Sequence, residues 1–285
     1  MRARRGGNVR ADLTARHLDW CHARNLRPST IYQRHRALVR LSLAIGCAPA
    51  LATPEALADW WDGLTARLTP AGRKADLLHV RGFYRWAVLE EHLVTDPTLR
   101  LASPRLPRRL PRPIPDADLA VALEMAPERV RPWLYLAAYA GLRACEIAQV
   151  RGEDVAWDHE PPVLLIPEGK GGGMSAVPIP PVLAEVLAGL PRRGWLFPRG
   201  DGLPGANRPW TISQVANRYL HGLGITHTLH TLRHWYGTSV YRESGHDLRA
   251  TQELMRHLSP VSTAGYTWVS PGDAAATVAR LPVLV

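Results

Sequence analysis

WLYLAAYAGLRACEIAQV, residues 133–150, reads as a helix broken at a single point. Pro132 ahead of it presets the first helical φ without removing a useful N–H. The apolar run carries the helix, Gly141 ends it, and LRACEIAQV resumes helix at once. The break places Arg143 beside a turn, with the carboxylate of Glu146 one helical turn further on. Downstream, VLLIPEGKGGGMSAVPIP (163–180) predicts two short strands around a Gly-rich turn with Lys170 at its tip. PPVLAEVLAGL (180–190) and TISQVANRYLHGLG (211–224) predict helices. In HTLRH (230–234), His230 and Arg233 are three apart and share a helical face. From His227 onward, Gly and Pro divide the chain into several short helices.

Upstream, SPRLPRRLPRPIP (103–115) has five prolines and four arginines in thirteen residues. Such proline density prevents a helix and favours an extended, fairly stiff segment. It predicts a domain 1–103, a Pro/Arg-rich linker 104–113 and a second domain 114–285. The first domain reads as about four helices. Pro28 with Ser29 and Thr30 opens IYQRHRALVRLSLAIG, where Ile31, Leu38, Leu41 and Ile45 share a face and Gly46 closes the run. Thr53-Pro54-Glu55 opens a further helical run, ALADWWDGLTARL. Thr69-Pro70 opens a longer one through Arg73, Lys74, Arg81, Phe83 and Trp86, and no period-2 β-branched run interrupts this pattern.

The net charge is +10, and its distribution matters more than its size. Residues 1–113 hold 20 Lys and Arg against 9 Asp and Glu, whereas residues 114–285 hold 15 against 16, so the excess lies wholly in the first part. A polyanion is attracted to such a block through counterion release. The basic residues are interleaved with acids and lie beside no lipid-anchor signal, which disfavours a membrane surface. No apolar run reaches eighteen residues and MRARRGGNVRADL carries no hydrophobic leader, so a soluble, cytoplasmic protein is expected. Cys21, Cys47 and Cys145 lack CxxC spacing, which excludes a disulfide framework and a zinc site of that kind.

Arg143, Lys170, His230 with Arg233, then LMRHLSPVSTAGYTWV (254–269) with His257 nine residues before Tyr266, form an ordered set. Each member alone has an ordinary structural explanation. In this order, with Gly141-Leu142 before the first arginine and Glu146 after it, the chain resembles the tyrosine recombinase (phage integrase) family. The motifs span 114–285, and 1–103 is similar more loosely to the family's helical core-binding domain. By size the chain resembles Xer-like or simple integrases, and no arm-binding domain is expected ahead of the bundle.

The resemblance implies a mainly α fold with a small β-hairpin or sheet in the catalytic domain (α+β), behind an N-terminal helical bundle. It implies Tyr266 as nucleophile toward a phosphodiester, with Arg143, Arg233 and His230 as donors to the non-bridging oxygens. Lys170 is implied as general acid, His257 as a phosphate donor or an orienter of Tyr266, and Glu146 as the support of Arg143. These residue types suit the chemistry. Negative charge builds on phosphate oxygens in the transition state, and catalysis comes from positioning and fixed positive charge. A guanidinium is always charged and donates in a planar fork that fits phosphate. A departing 5′-alkoxide needs a proton, and a phenol of pKa near 10 needs a cationic setting to attack. The phosphotyrosine link conserves the ester's energy, so no cofactor, ATP or metal is expected.

Implied partners are double-stranded DNA, further copies of the chain in a tetramer on paired sites, and a directionality factor in some systems. Arg34, Arg36, Arg73, Lys74, Arg81, Arg108 and Arg109 are the candidate DNA-binding cations. The apolar end of the tail, LPVLV, is expected to dock in a neighbouring protomer, with folding back in cis as the alternative. Two departures stand out. Gly173 and Met174 replace basic residues common in the family hairpin, and Arg256 stands where a glycine commonly precedes the histidine, either as an added DNA contact or as a surface change. His227, His234 and Trp235 read as structural. The expected role is integration or excision of a phage or mobile element, against Xer-like chromosome-dimer resolution; from another class comes a catalytically silent DNA-binding regulator.

Overall fold

A computed structural model of the chain describes residues 13–107, 111–167 and 173–257, and Thr263. Lys170, Tyr266, Arg108, Arg109 and the tail fall outside these residues. The chain divides into two units between Arg108 and Arg109.

Four α-helices lie among the described residues of the first unit, two of them opened by threonine caps. α1 spans Leu13–Ala23, α2 Pro28–Ile45, α3 Pro54–Gly63 and α4 Pro70–Leu89. The hydroxyls of Thr53 and Thr69 accept the N–H groups of Ala56 and Gly72, each at 3.2 Å, and so satisfy donors that the first turn leaves open. α2 starts earlier than Ser29 and Thr30 as caps would place it. Pro28 is its first residue and Ser29 and Thr30 lie inside the first turn, where a preset φ replaces a side-chain cap. Its end is as expected: Gly46, at φ +70°, donates to Ser42 O. The core is aromatic-rich, with Leu38, Leu41, Leu57, Trp60, Trp61, Leu77, Val80, Phe83, Tyr84 and Trp86 buried together. Asp76 is buried in it and accepts from Arg40 Nε at 3.2 Å.

Of the candidate DNA-binding cations in this unit, three are engaged within the protein. Arg34 turns inward and donates to Cys21 Sγ at 3.2 Å beside buried His17. Burial, then Arg34, lowers the His17 pKa to about 4. Arg73 lies over the Trp61 ring, 4.3 Å from its centroid, and donates to Trp61 O at 3.3 Å. Arg81 donates to the carbonyls of Thr98 and Leu101. Arg36 and Lys74 are exposed.

Among its described residues the second unit is mostly helical with one small sheet. α5 (Asp116–Glu124), α6 (Arg131–Tyr139) and the single turn α7 (Ala144–Ile147) precede β1 (Val155–Ala156), β2 (Val163–Pro167) and β3 (Met174–Pro178). The strands are antiparallel in the order β1-β2-β3, and Leu164 faces Val177 across the hairpin. Leu164 and Ile166 are buried while their neighbours are not, the two-residue period of a sheet with one covered face. α8 (Pro181–Ala188), α9 (Pro209–Gly222), α10 (Leu229–Glu243) and α11 (Leu248–Leu254) follow. The core centres on α6, whose Trp133, Leu134, Leu136, Ala137 and Ala138 are buried against the sheet and α9 residues such as Ile212 and Leu220. Among the described residues no helix is long and apolar enough to cross a membrane.

Candidate active site

Three separated segments converge on the break after α6. Gly141 makes the break at φ +60°, and a side chain there would begin 2.3 Å from Tyr236 Cδ1 on α10. The turn needs a left-handed residue and the packing needs one without a Cβ, which leaves glycine. Arg143 follows with extended backbone and caps α7. Its N–H donates to Glu146 Oε2 at 2.8 Å and its Nη1 to Glu146 Oε1 at 2.7 Å, so one carboxylate fixes both the turn and the side chain. The Arg143 side chain retains 36% exposure.

Arg233 comes from α10. The buried positions of that helix are Leu229, Leu232, Arg233, Tyr236 and Gly237, so the arginine lies in the apolar stripe itself. A charge buried to 2% exposure needs acceptors. Arg233 finds Gly141 O and Met255 O, with Glu146 Oε2 at 3.8 Å. His230 stands one turn earlier on α10 at the solvent edge. Partial burial, then Arg233 and Arg143, hold its pKa below the ordinary value. Asn217 on α9 accepts the Leu229 N–H at 2.8 Å and anchors the start of this helix.

The third segment is the end of α11, a helix begun by Asp247, whose carboxylate accepts from Arg249 and Ala250. Beyond it, Arg256 turns back into the protein and His257 faces Thr263. His257 Nδ1 and Thr263 Oγ1 are 2.9 Å apart, with the hydrogen's position set by the imidazole tautomer. Burial, then Arg233, Arg143 and Arg256, lower the His257 pKa to about 4, so the ring is neutral at pH 7.

Glu146 is the hub of the site. Burial pushes its carboxyl up, but Arg256, the Arg143 N–H, Arg233 and the Arg143 side chain outweigh burial and hold the pKa below the ordinary carboxylate value. Arg143, His230, Arg233, His257 and Glu146, singled out in the sequence, therefore share one site. Arg256 belongs to it as well. Its side chain is neither a surface change nor a solvent-facing DNA contact, because it is 4% exposed and pairs with Glu146 at 2.9 Å. Also on α10, His234 packs edge-on to His230, 4.6 Å between ring centroids, while Trp235 Nε1 donates to Asp116 at 2.6 Å. Among the described residues no group of three His, Cys, Asp or Glu is placed to hold a metal ion.

A partly exposed guanidinium backed by two buried ones can attract an oxyanion and donate to it in a planar fork. Residues 118–272 match the phage integrase family. The chain is 31% identical over 194 residues to tyrosine recombinase XerA of Pyrococcus furiosus, covering 65% of this chain and 67% of that one. It is 29% identical over 217 residues to tyrosine recombinase XerC of Xanthomonas campestris pv. campestris, covering 70% and 64%. The chain belongs to the phage integrase family of tyrosine recombinases. Its alignment spans about two thirds of the length of these relatives, 67% and 64%. Its fold is similar to that of the Tn1549 transposon integrase in complex with transposon right end DNA, with a TM-score of 0.72 at 17% identity, covering 95% of this chain and 99% of that one. The lambda integrase dimer bound to a COC′ core site gives 0.70 at 19% identity, covering 88% and 96%.

Proposed function

We propose that the chain is a site-specific DNA recombinase that cuts and rejoins strands through a 3′-phosphotyrosine link at Tyr266. The observation that carries this reading is the convergence of Arg143, His230, Arg233 and His257 around Glu146 in a member of this family. Tyr266 attacks the phosphorus, its phenolic proton passes to solvent, and the bond to the 5′-oxygen breaks. Arg143, the most exposed of the three guanidiniums, donates directly to the non-bridging oxygens. Arg233 keeps its nitrogens on carbonyls and acts as fixed positive charge beneath them, because Coulomb attraction needs no contact. His230 adds a donor from the solvent edge. Neutral His257 offers an N–H to the phosphate or orients the phenol. Lys170 protonates the leaving 5′-oxygen.

The role favoured here is integration or excision of a phage or mobile element. The names of the two aligned relatives favour a second reading, Xer-type recombination. Both use the same chemistry, assembled by several copies on paired duplexes, and the DNA site that the chain cuts distinguishes them. The test of the shared chemistry is incubation with a nicked duplex carrying that site, in chelator and without ATP. A covalent protein–DNA adduct is expected; its absence overturns the reading and favours a silent DNA-binding regulator.

Two further results are expected. Lys170→Ala slows cleavage by about 10²-fold or more, the range of general-acid catalysis, and a 5′-bridging thiolate restores the rate because a thiolate leaves without a proton. Failed rescue removes Lys170 from that role. For DNA binding, exposure selects Arg36 and Lys74 over the internally engaged Arg34, Arg73 and Arg81. Replacing both by glutamine should lower the slope of log affinity against log salt by about 1–2, at roughly 0.9 per lost phosphate contact. An unchanged slope places them off the DNA.

A further inference from the structure

Arg256 is the residue whose geometry is hardest to explain as packing alone. It holds a left-handed backbone at φ +52°, a conformation that favours glycine. Its side chain is 4% exposed, although it belongs to a type that is rarely buried unless paired. The guanidinium meets acceptors from three segments. Nη1 donates to Ala140 O at 3.2 Å and to Leu254 O at 3.0 Å; Nη2 donates to Gly141 O at 2.9 Å and to Glu146 Oε2 at 2.9 Å. One planar group thus ties the end of α6, the carboxylate that holds Arg143, and the end of α11 just before His257.

We propose that Arg256 is a positioning residue of the strand-transfer centre: by clamping Glu146 and the 140–141 carbonyls, it sets where Arg143 presents its guanidinium and where His257 stands. The proposal rests on the function argued above. Glu146 divides its oxygens, Oε1 to the Arg143 side chain and Oε2 to the Arg143 N–H and Arg256. Without Arg256, Glu146 loses a hydrogen bond that comes from outside the Arg143 turn, and Arg143 loses the anchor of its support to the end of α11. A guanidinium is suited to this task because its fork bridges a carboxylate and a carbonyl at once, whereas an ammonium is a point charge. Such supports typically matter because a displacement of about 1 Å can cost on the order of 10²-fold in rate.

The experiment uses the full chain with Arg256→Gly and Arg256→Lys. Glycine suits the left-handed backbone, so the first variant removes the clamp while relieving the turn. Two quantities are read. Nitrogen-15 NMR of the Arg143 side chain without DNA reports its order, and single-turnover adduct formation on the nicked duplex reports the chemistry, with DNA affinity and Tm measured beside them. Arg143 is expected to be ordered in the unsubstituted protein and to lose order in Arg256→Gly. Adduct formation should fall about tenfold or more while DNA affinity stays within about twofold. Arg256→Lys should recover part of both. In a Glu146→Gln background, Arg256→Gly should add little further loss, because the two act through one contact. Unchanged Arg143 order overturns the clamp. Lost order at an unchanged rate overturns the positioning role. A rate loss that only parallels a lower Tm, with lysine no better than glycine, reduces Arg256 to a structural residue. Failure of the unsubstituted chain to form any adduct overturns the strand-transfer reading and the positioning role with it, and the NMR comparison still decides the clamp.

Discussion

Arg143→Ala should slow formation of the covalent adduct by about 10³-fold, the upper range for loss of one preorganised donor to a developing oxyanion, with DNA affinity changed only a few-fold. The size of the effect follows from the division of labour among the three arginines. Arg233 is 2% exposed and Arg256 4%, and both give hydrogen bonds to backbone carbonyls. Arg143, at 36%, is the guanidinium that reaches the opening of the site. Its removal leaves Glu146 paired with Arg256 and near Arg233, so the fold around the turn survives. Arg143→Lys should recover little, because a point charge does not reproduce the fork that grips Glu146 and phosphate together. Single-turnover kinetics on a nicked duplex, beside a melting curve, check this. A rate loss of tenfold or less would transfer the principal phosphate contact to another residue.

The second large effect is on stability. Gly141→Ala is expected to destabilise the second unit by about 2–4 kcal/mol, combining a left-handed alanine with an overpacked contact. The new Cβ would lie 2.3 Å from Cδ1 and 2.7 Å from Cε1 of Tyr236, a ring that is itself 8% exposed and has little room to retreat. For a domain of this size such a loss lowers Tm by roughly 5–15 °C. Activity should fall further than stability, because the Gly141 carbonyl accepts from both Arg233 and Arg256. A thermal melt within 2 °C of the unsubstituted protein, with the adduct rate intact, would mean that the turn tolerates a side chain.

What the sequence made legible was local chemistry in a fixed order. Thr53 and Thr69 cap their helices because the donors they satisfy are three residues away. Gly46 and Gly141 end helices because the left-handed conformation is theirs at little cost. The strands of the hairpin were expected from two apolar runs around a Gly-rich turn, whereas the alternating burial of Leu164 and Ile166 appears only in the structure, because residues 163–166 are all apolar. The fold class and the family followed from the order of the site motifs, and the family match over 118–272 supports both. Long-range environment was not legible. Helix periodicity puts Arg34 and Arg81 on polar faces, yet the neighbouring segments supply Cys21 Sγ and the carbonyls of Thr98 and Leu101 to receive them. The same limit hid the burial of Arg233, although its place in the Leu229, Leu232, Tyr236 stripe was a usable signal. For Arg256 the sequence offered two solvent-facing explanations. The structure shows a third, a buried guanidinium three of whose acceptors lie 110 or more positions away, at Ala140, Gly141 and Glu146.

The central claim is that Tyr266 is the attacking group served by this cationic site. The most direct measurement is to trap the protein–DNA adduct on a nicked duplex, digest it, and locate the modified peptide by mass spectrometry. The account predicts a nucleotide joined through its 3′-phosphate to the Tyr266 side chain, and no adduct from Tyr266→Phe. An adduct on any other residue, or one that survives that substitution, would contradict it.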